Sequence, residues 1–157
     1  MKILIVYDSR SGNTEKMAYA VVEGAKGAGV DVLLKNIDEA SVDELLNVQG
    51  LILGSPVYYG LPTAKIKAFI DDSVKYHGKL DGMVGGAFAS AGGTHTGAET
   101  TITAINEMLF IHGMIIQGSS GGSHFGAASV GAPDDNVKEA CRKLGERVAK
   151  LAKTINN

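Results

Sequence analysis

The chain of 157 residues has no tryptophan, one cysteine and three prolines. A lone thiol, Cys141, excludes an internal disulfide and fits a reducing compartment, so a cytoplasmic protein is expected. No apolar run approaches the ~20 residues that cross a bilayer. Asp8, Arg10 and Glu15 break up the N-terminal segment before it could act as a secretory leader. Neither sign of charge is in surplus: 15 Lys and Arg stand against 17 Asp and Glu, a net charge of −2. That balance gives no expectation of nucleic-acid or membrane-surface partners. No group of His, Cys, Asp and Glu has metal-ligand spacing, and Asp71-Asp72 reads as a helix-surface pair. What is abundant is glycine, 21 residues of 157, well above the usual ~7%. Loops of this chain must therefore approach something closely.

The length suits one domain over residues 1–157, with no repeat or linker. Five short, nearly continuous apolar runs read as strands: Lys2–Tyr7, Val30–Lys35, Gly50–Ser55, Met83–Ala89 and Met114–Gln117. Continuous apolarity predicts strands covered on both faces, as in a parallel sheet. Helical stripes alternate with them. Met17, Val21, Val22 and Ala25 share one face, with Gly27 and Gly29 ending that helix. Ser41-x-x-Glu44 is a capping box opening a short helix. Ile66, Phe69, Ile70 and Val74 form the next stripe, and Ile102, Ile105, Met108 and Leu109 another. The last stripe, Val137, Cys141, Leu144, Val148, Leu151 and Ile155, is the clearest, and it makes Cys141 a core residue. Alternation of this kind predicts a doubly wound α/β sheet with helices on both faces.

In such a sheet a ligand lies beyond the carboxyl ends of the strands. The first of those ends opens into Ser9-Arg10-Ser11-Gly12-Asn13-Thr14, directly before a helix. Three hydroxyls, a glycine free to take positive φ, and the unpaired N–H groups of the helix start together form a phosphate cradle. The loop has neither the Gly-x4-Gly-Lys spacing of a P-loop nor a Gly-x-Gly-x-x-Gly fingerprint, and it suits a single monoester phosphate. Arg10 either adds positive charge there or points to solvent. A plain strand–helix turn with Thr14 as N-cap is the competing reading of the segment. The third strand ends in Pro56-Val57-Tyr58-Tyr59-Gly60, which places two phenols at the crevice. The fourth ends in Ser90-Ala91-Gly92-Gly93-Thr94-His95-Thr96-Gly97, where bare backbone can approach a ligand. Gly118–Pro133, holding His124 and Phe125, is a long loop of the kind that is functional or mobile.

These residues resemble the flavodoxin superfamily. Ser9-x-Ser11-Gly12-x-Thr14 is similar to its FMN phosphate loop, and the match in strand order and loop placement extends over nearly the whole chain. Within the superfamily the resemblance is nearest to the short, WrbA-like branch of NAD(P)H:quinone oxidoreductases. It rests on Gly54-Ser55-Pro56-Val57-Tyr58-Tyr59-Gly60, Ser90-Ala91-Gly92-Gly93 and His112-Gly113-Met114. Two features depart from that branch: the link from Ile37 to Gly50 is short, and its tryptophan is missing.

The resemblance implies a flavodoxin-like three-layer α/β/α sandwich with five parallel strands in the order 2-1-3-4-5. It implies FMN as cofactor, with the phosphate on Ser9, Arg10, Ser11, Gly12, Asn13 and Thr14. Pro56, Val57, Tyr58, Tyr59 and Gly60 would border the isoalloxazine, and the peptide at Gly60 could rotate to meet reduced flavin N5–H. Ser90, Ala91, Gly92, Gly93, Thr94 and His95 would face its pyrimidine edge. His112 would lie beside the flavin or serve as a structural histidine. The implied function is electron carriage between redox partner proteins. The alternative is two-electron reduction of a quinone or similar small acceptor at the expense of NAD(P)H. A homo-oligomer, in the simplest case a homodimer, is compatible with either.

Overall fold

The computed structural model describes residues 1–156. Strand β1 (Lys2–Tyr7) leads to helix α1 (Asn13–Gly27), then β2 (Asp31–Asn36), β3 (Gly50–Pro56), α2 (Ala64–Asp72) and β4 (Val84–Ala91). Helix α3 (Ala98–Ile111) and two short strands, β5 (Ile115–Ile116) and β6 (Ala127–Val130), precede the final helix α4 (Asp135–Ile155). All pairings are parallel, in the order β2-β1-β3-β4-β5. The expected doubly wound order is therefore present.

The fifth lane of the sheet differs from expectation. It is built from two pieces: Ile115 and Ile116 pair with Val84 and Gly85, whereas Ala127–Val130 pairs with Phe88–Ala91. The segment expected to be one long loop thus contains a sixth strand. Where the chain re-enters the sheet, Gly126 presses on the Ala87 carbonyl so closely that a Cβ would collide with it. The capping box at Ser41 opens a 3-10 turn (Val42–Asn47) in place of an α-helix. There Ser41 Oγ accepts from Asp43 N–H (3.3 Å) and Glu44 Oε2 accepts from Ser41 N–H (3.1 Å).

Alternation along β1 distributes the core between two layers. Ile3, Ile5 and Tyr7 face α1 and α4, packing with Met17, Val21, Cys141, Leu144 and Val148. Leu4 and Val6 face the other layer with Leu51, Leu53, Ile66, Ile102 and Leu109. Helices α1 and α4 cross backbone to backbone at a reciprocal pair of glycines. A Cβ on Gly24 would overlap the Arg142 carbonyl, and one on Gly145 would overlap the Val21 carbonyl. This crossing sets the axis of α1, and the first turn of α1 follows directly on the Ser9–Gly12 segment.

Candidate functional site

Three loops meet at the carboxyl ends of β1, β3 and β4. The first is drawn tight at its base: Asp8 N–H donates to the Gly54 carbonyl (3.0 Å), and Glu15 N–H donates to Ser9 Oγ (3.3 Å). Between those two points no protein acceptor takes the backbone N–H groups of residues 9–14 among the described residues. Gly12 stands at φ +83° as the N-cap residue and has no side chain with which to cap the helix, so among the described residues Ser9 Oγ is the side-chain acceptor at its start. Thr14 is therefore not the cap. Its buried hydroxyl pairs instead with Ser90 Oγ (2.8 Å), tying the first loop to the end of β4. Ser9 Oγ accepts from Glu15 and keeps its own proton to donate, while the exposed Ser11 hydroxyl makes no bond among the described residues.

Beneath this loop lies a carboxylate–phenol cluster with no warning in the local sequence. Glu15 Oε1 accepts from Tyr7 Oη (2.8 Å) and from Tyr19 Oη (3.2 Å). Burial, together with the Glu15 carboxylate, pushes the Tyr7 phenol up to about 12. Tyr7 thus remains a hydrogen-bond donor, and Glu15 is held in place just behind the helix start.

The second loop is a tight reversal. Tyr58 and Leu61 exchange N–H···O bonds (3.0 and 3.1 Å), with Tyr59 and Gly60 both in the left-handed region (φ +52° and +77°). Two successive positive φ values give the type I′ turn, which glycine accepts easily and tyrosine does not. Tyr59 at its tip is fully exposed. Tyr58 is 38% exposed, and the Arg10 guanidinium lies over its ring at 5.2 Å from the centroid. Arg10 is thereby placed against an aromatic face at the loop junction. Buried Ser55 anchors the turn: its Oγ donates to the Pro56 carbonyl (2.7 Å) and accepts from Thr63 N–H (3.0 Å).

Loops two and three are fastened to each other. Val57 N–H donates to the Ser90 carbonyl (2.8 Å), and Thr100 Oγ1 donates to the Gly60 carbonyl (2.8 Å). Gly97, at φ +111°, approaches so closely that a Cβ would stand 2.7 Å from Gly60 Cα. Thr100 escaped the sequence reading because its bond to Gly60 spans 40 residues and follows no motif. Ser90 and Ala91 are buried, whereas Gly92, Thr94 and His95 are exposed, with His95 at φ +58°. Behind this loop a recess of about 420 Å³ runs between Gly93–Thr96 and the β6–α4 segment.

The structure thus brings together the 9–14, 56–60 and 90–95 segments, but it removes His112 from them. His112 closes the C-terminus of α3 just before β5, whose Ile115 pairs with Val84, the first residue of β4. The loops leave from Ala91, the last residue of that strand, and seven strand residues at ~3.3 Å each separate the two ends by roughly 23 Å. The expected place of His112 beside a flavin is corrected accordingly. Its nearness in sequence to a sheet strand is real, but it sits at the entry end. Ser73 Oγ donates to the Ile70 carbonyl (2.6 Å), so His112 Nε2–H donates to Ser73 Oγ (2.7 Å). Nδ1 then carries no proton and is buried without a partner. Burial and the neighbouring His77 lower its pKa. His124 likewise stays outside the junction, with Nδ1 donating to the Ser119 carbonyl (2.6 Å).

A family model described as Flavodoxin matches residues 5–144. A protein of Aquifex aeolicus named Flavodoxin is 41% identical over 157 aligned residues, covering 94% of this chain and 85% of that one. An NAD(P)H dehydrogenase (quinone) of Archaeoglobus fulgidus is 32% identical, with 98% of each chain covered. Among solved structures, the WrbA-like flavodoxin of Agrobacterium tumefaciens superposes with a TM-score of 0.84 at 28% identity over 98% of each chain.

Proposed function

The chain belongs to the flavodoxin family of FMN-binding redox proteins, and from that premise we propose that it carries electrons between partner proteins through FMN seated at the three-loop junction. The observation that carries this reading is the run of unpaired backbone N–H groups from Ser9 to Thr14, convergent with an exposed phenol and bare glycine backbone. These features fit the cofactor. The N–H groups, the Ser9 and Ser11 hydroxyls and the start of α1 suit a phosphate dianion. The dipole of α1 contributes up to about 2 kcal/mol toward it. Tyr58 offers a ring for stacking, worth roughly 0.5–1.5 kcal/mol, and Gly92 and Gly93 let N–H groups approach the edge where negative charge gathers on reduction.

Bound FMN supplies the electron uptake and release, and the chain's residues set its position and environment. Thr14 and Ser90 hold the first and third loops at fixed separation. Thr100 holds the Gly60 carbonyl, so the rotatable peptide of the turn is the one between Tyr59 and Gly60. Neither its C=O nor its N–H has a partner among the described residues. Arg10 places positive charge against the Tyr58 ring, at the junction where the flavin would stack.

Two-electron reduction of a quinone by NAD(P)H is the second reading, favoured by the full-length similarity to the Archaeoglobus enzyme. A homodimer is also proposed, supported by two adjoining apolar grooves along α3, one bordered by exposed Leu61 and Ile111 and the other by exposed Val74. The lone buried thiol supports a cytoplasmic location. Calorimetric titration with FMN tests the seat: one site per chain is expected, and no binding refutes it. Stepwise reduction of the loaded protein should then show two separated one-electron steps. Rapid bleaching on mixing with NADPH would refute the carrier in favour of the reductase.

A further inference from the structure

The outer edge of the sheet holds a second polar recess, built by the chain between β5 and β6. This excursion folds back on itself as Ser119 N–H donates to the His124 carbonyl (3.2 Å). Its Ser119–Ser123 arch faces α4 across a cavity of about 260 Å³. Arg147 and Lys143 line the opposite wall.

The charges there are unbalanced. Arg147 is partly buried, and desolvation draws its pKa down. Nε–H donates to the Gln117 carbonyl (3.0 Å), the one acceptor among the described residues for a group with five N–H donors. No carboxylate lies within ion-pair reach of Arg147 or Lys143 among the described residues. The acids on this surface are already engaged. Glu139, which also lines the cavity, pairs with Arg142 (3.1 Å), and Glu146 pairs with Lys150 (2.5 Å). Among the described residues the hydroxyls of Ser119 and Ser123 find no hydrogen-bond partner. Gly121 and Gly122 have open space where a Cβ would stand, and Gly122 adopts φ +98°. A guanidinium partly withdrawn from water, beside an ammonium and facing hydroxyls and bare peptide, is matched chemically by an oxyanion.

We propose that Arg147, Lys143 and the Ser119–Ser123 arch form a binding site for a phosphate dianion, separate from the FMN phosphate loop. Arg147 and Lys143 supply the charge, and the arch supplies hydroxyl and backbone donors. The volume accommodates a phosphate with little more than a sugar attached, which leaves inorganic phosphate or the terminal phosphomonoester of a nucleotide as sources.

Amide and guanidinium NMR shifts of the full chain, followed during titration with inorganic phosphate and with adenosine 2′-monophosphate, test the site. Recording them with and without saturating FMN separates it from the first loop. Saturable shifts at residues 119–123 and at Arg147 Nε are expected, with the same affinity in both states. Tighter binding of the nucleotide identifies a nucleotide source, and equal binding identifies free phosphate. Arg147→Met should weaken binding at least about tenfold, and exposed Lys143→Gln, which leaves the fold undisturbed, should weaken it severalfold. Shifts confined to residues 9–14, or unchanged affinity in Lys143→Gln and Arg147→Met, would overturn the proposal. So would an equal response to chloride.

Discussion

Alanine at Gly145 sets two effects of opposite sign against each other. Within a helix the change alone should stabilise by about 1 kcal/mol. At this position the new Cβ would overlap the Val21 carbonyl oxygen and come within 2.9 Å of Ala25 N and 3.0 Å of Val21 C. All three are main-chain atoms of α1, so no rotamer change relieves the contact and α4 must lift. Overpacking of a close-packed core costs about 1–3 kcal/mol, and lifting α4 also loosens its fully buried Cys141, Ala149 and Ala152. Because the overlap is with backbone, the cost should lie in the upper part of that range, about 2–3 kcal/mol, leaving a net loss of about 1–2 kcal/mol. With a urea slope of about 2 kcal/mol/M, the middle of the usual range, the midpoint should fall by roughly 0.5–1 M. Gly27→Ala provides the matched control. It lies at the end of α1 with nothing within 4 Å of the added carbon, and it should stabilise by about 0.4–1 kcal/mol. Because α1 starts at the phosphate loop, Gly145→Ala should also weaken FMN binding. A midpoint for Gly145→Ala at or above that of the parent, with Gly27→Ala behaving as stated, would refute the backbone-contact account of this crossing.

Three other perturbations have defined outcomes. Ser90→Ala strands the buried Thr14 hydroxyl, so thermal unfolding should report a loss of about 1–3 kcal/mol, and FMN affinity should drop because the first loop loses its tie. His112 is held neutral below its ordinary pKa. As pH falls through ~6.5 the unfolded chain takes up a proton that the folded one resists, so stability decreases until the folded-state pKa is passed. Urea midpoints between pH 8 and pH 5 should show this decline, and His112→Gln should remove its share of it. Arg10→Gln should shift the potentials of bound FMN downward by about 20–40 mV, since a cation–π-scale interaction of ~0.5–1 kcal/mol converts at roughly 59 mV per ~1.4 kcal/mol. Spectroelectrochemistry should find the shift smaller at high salt.

The parts legible in the sequence are those written locally. A strand, a hydroxyl-and-glycine loop and a helix occupy consecutive residues at 2–27, and the apolar stripe of α4 declares its buried face within one element. The split fifth lane was not legible. Ala127–Val130 holds only small residues and one valine, and its status as a strand depends on pairing with Phe88–Ala91, far away in the chain. His112 shows a related difficulty: a residue beside a strand can lie at either end of the sheet, and short β5 fixes which only through its partner on β4. Thr14 looks locally like a cap or a phosphate ligand, yet its hydroxyl bonds Ser90, 76 residues on. The Gly24–Gly145 contact was invisible for the same reason, since each glycine looks locally like a weak helical residue.

The interrupted lane has a further consequence for how this edge tolerates change. Each half is clamped to β4 on its own, at Val84–Gly85 below and Phe88–Ala91 above. Extra residues spliced between Gln117 and Gly126 would disturb the Ser119–Ser123 arch yet leave the alignment of either half unshifted. The seam is thus a natural port for grafted peptides or reporter tags, because a one-residue slip, ruinous inside an unbroken strand, has nothing there to propagate through.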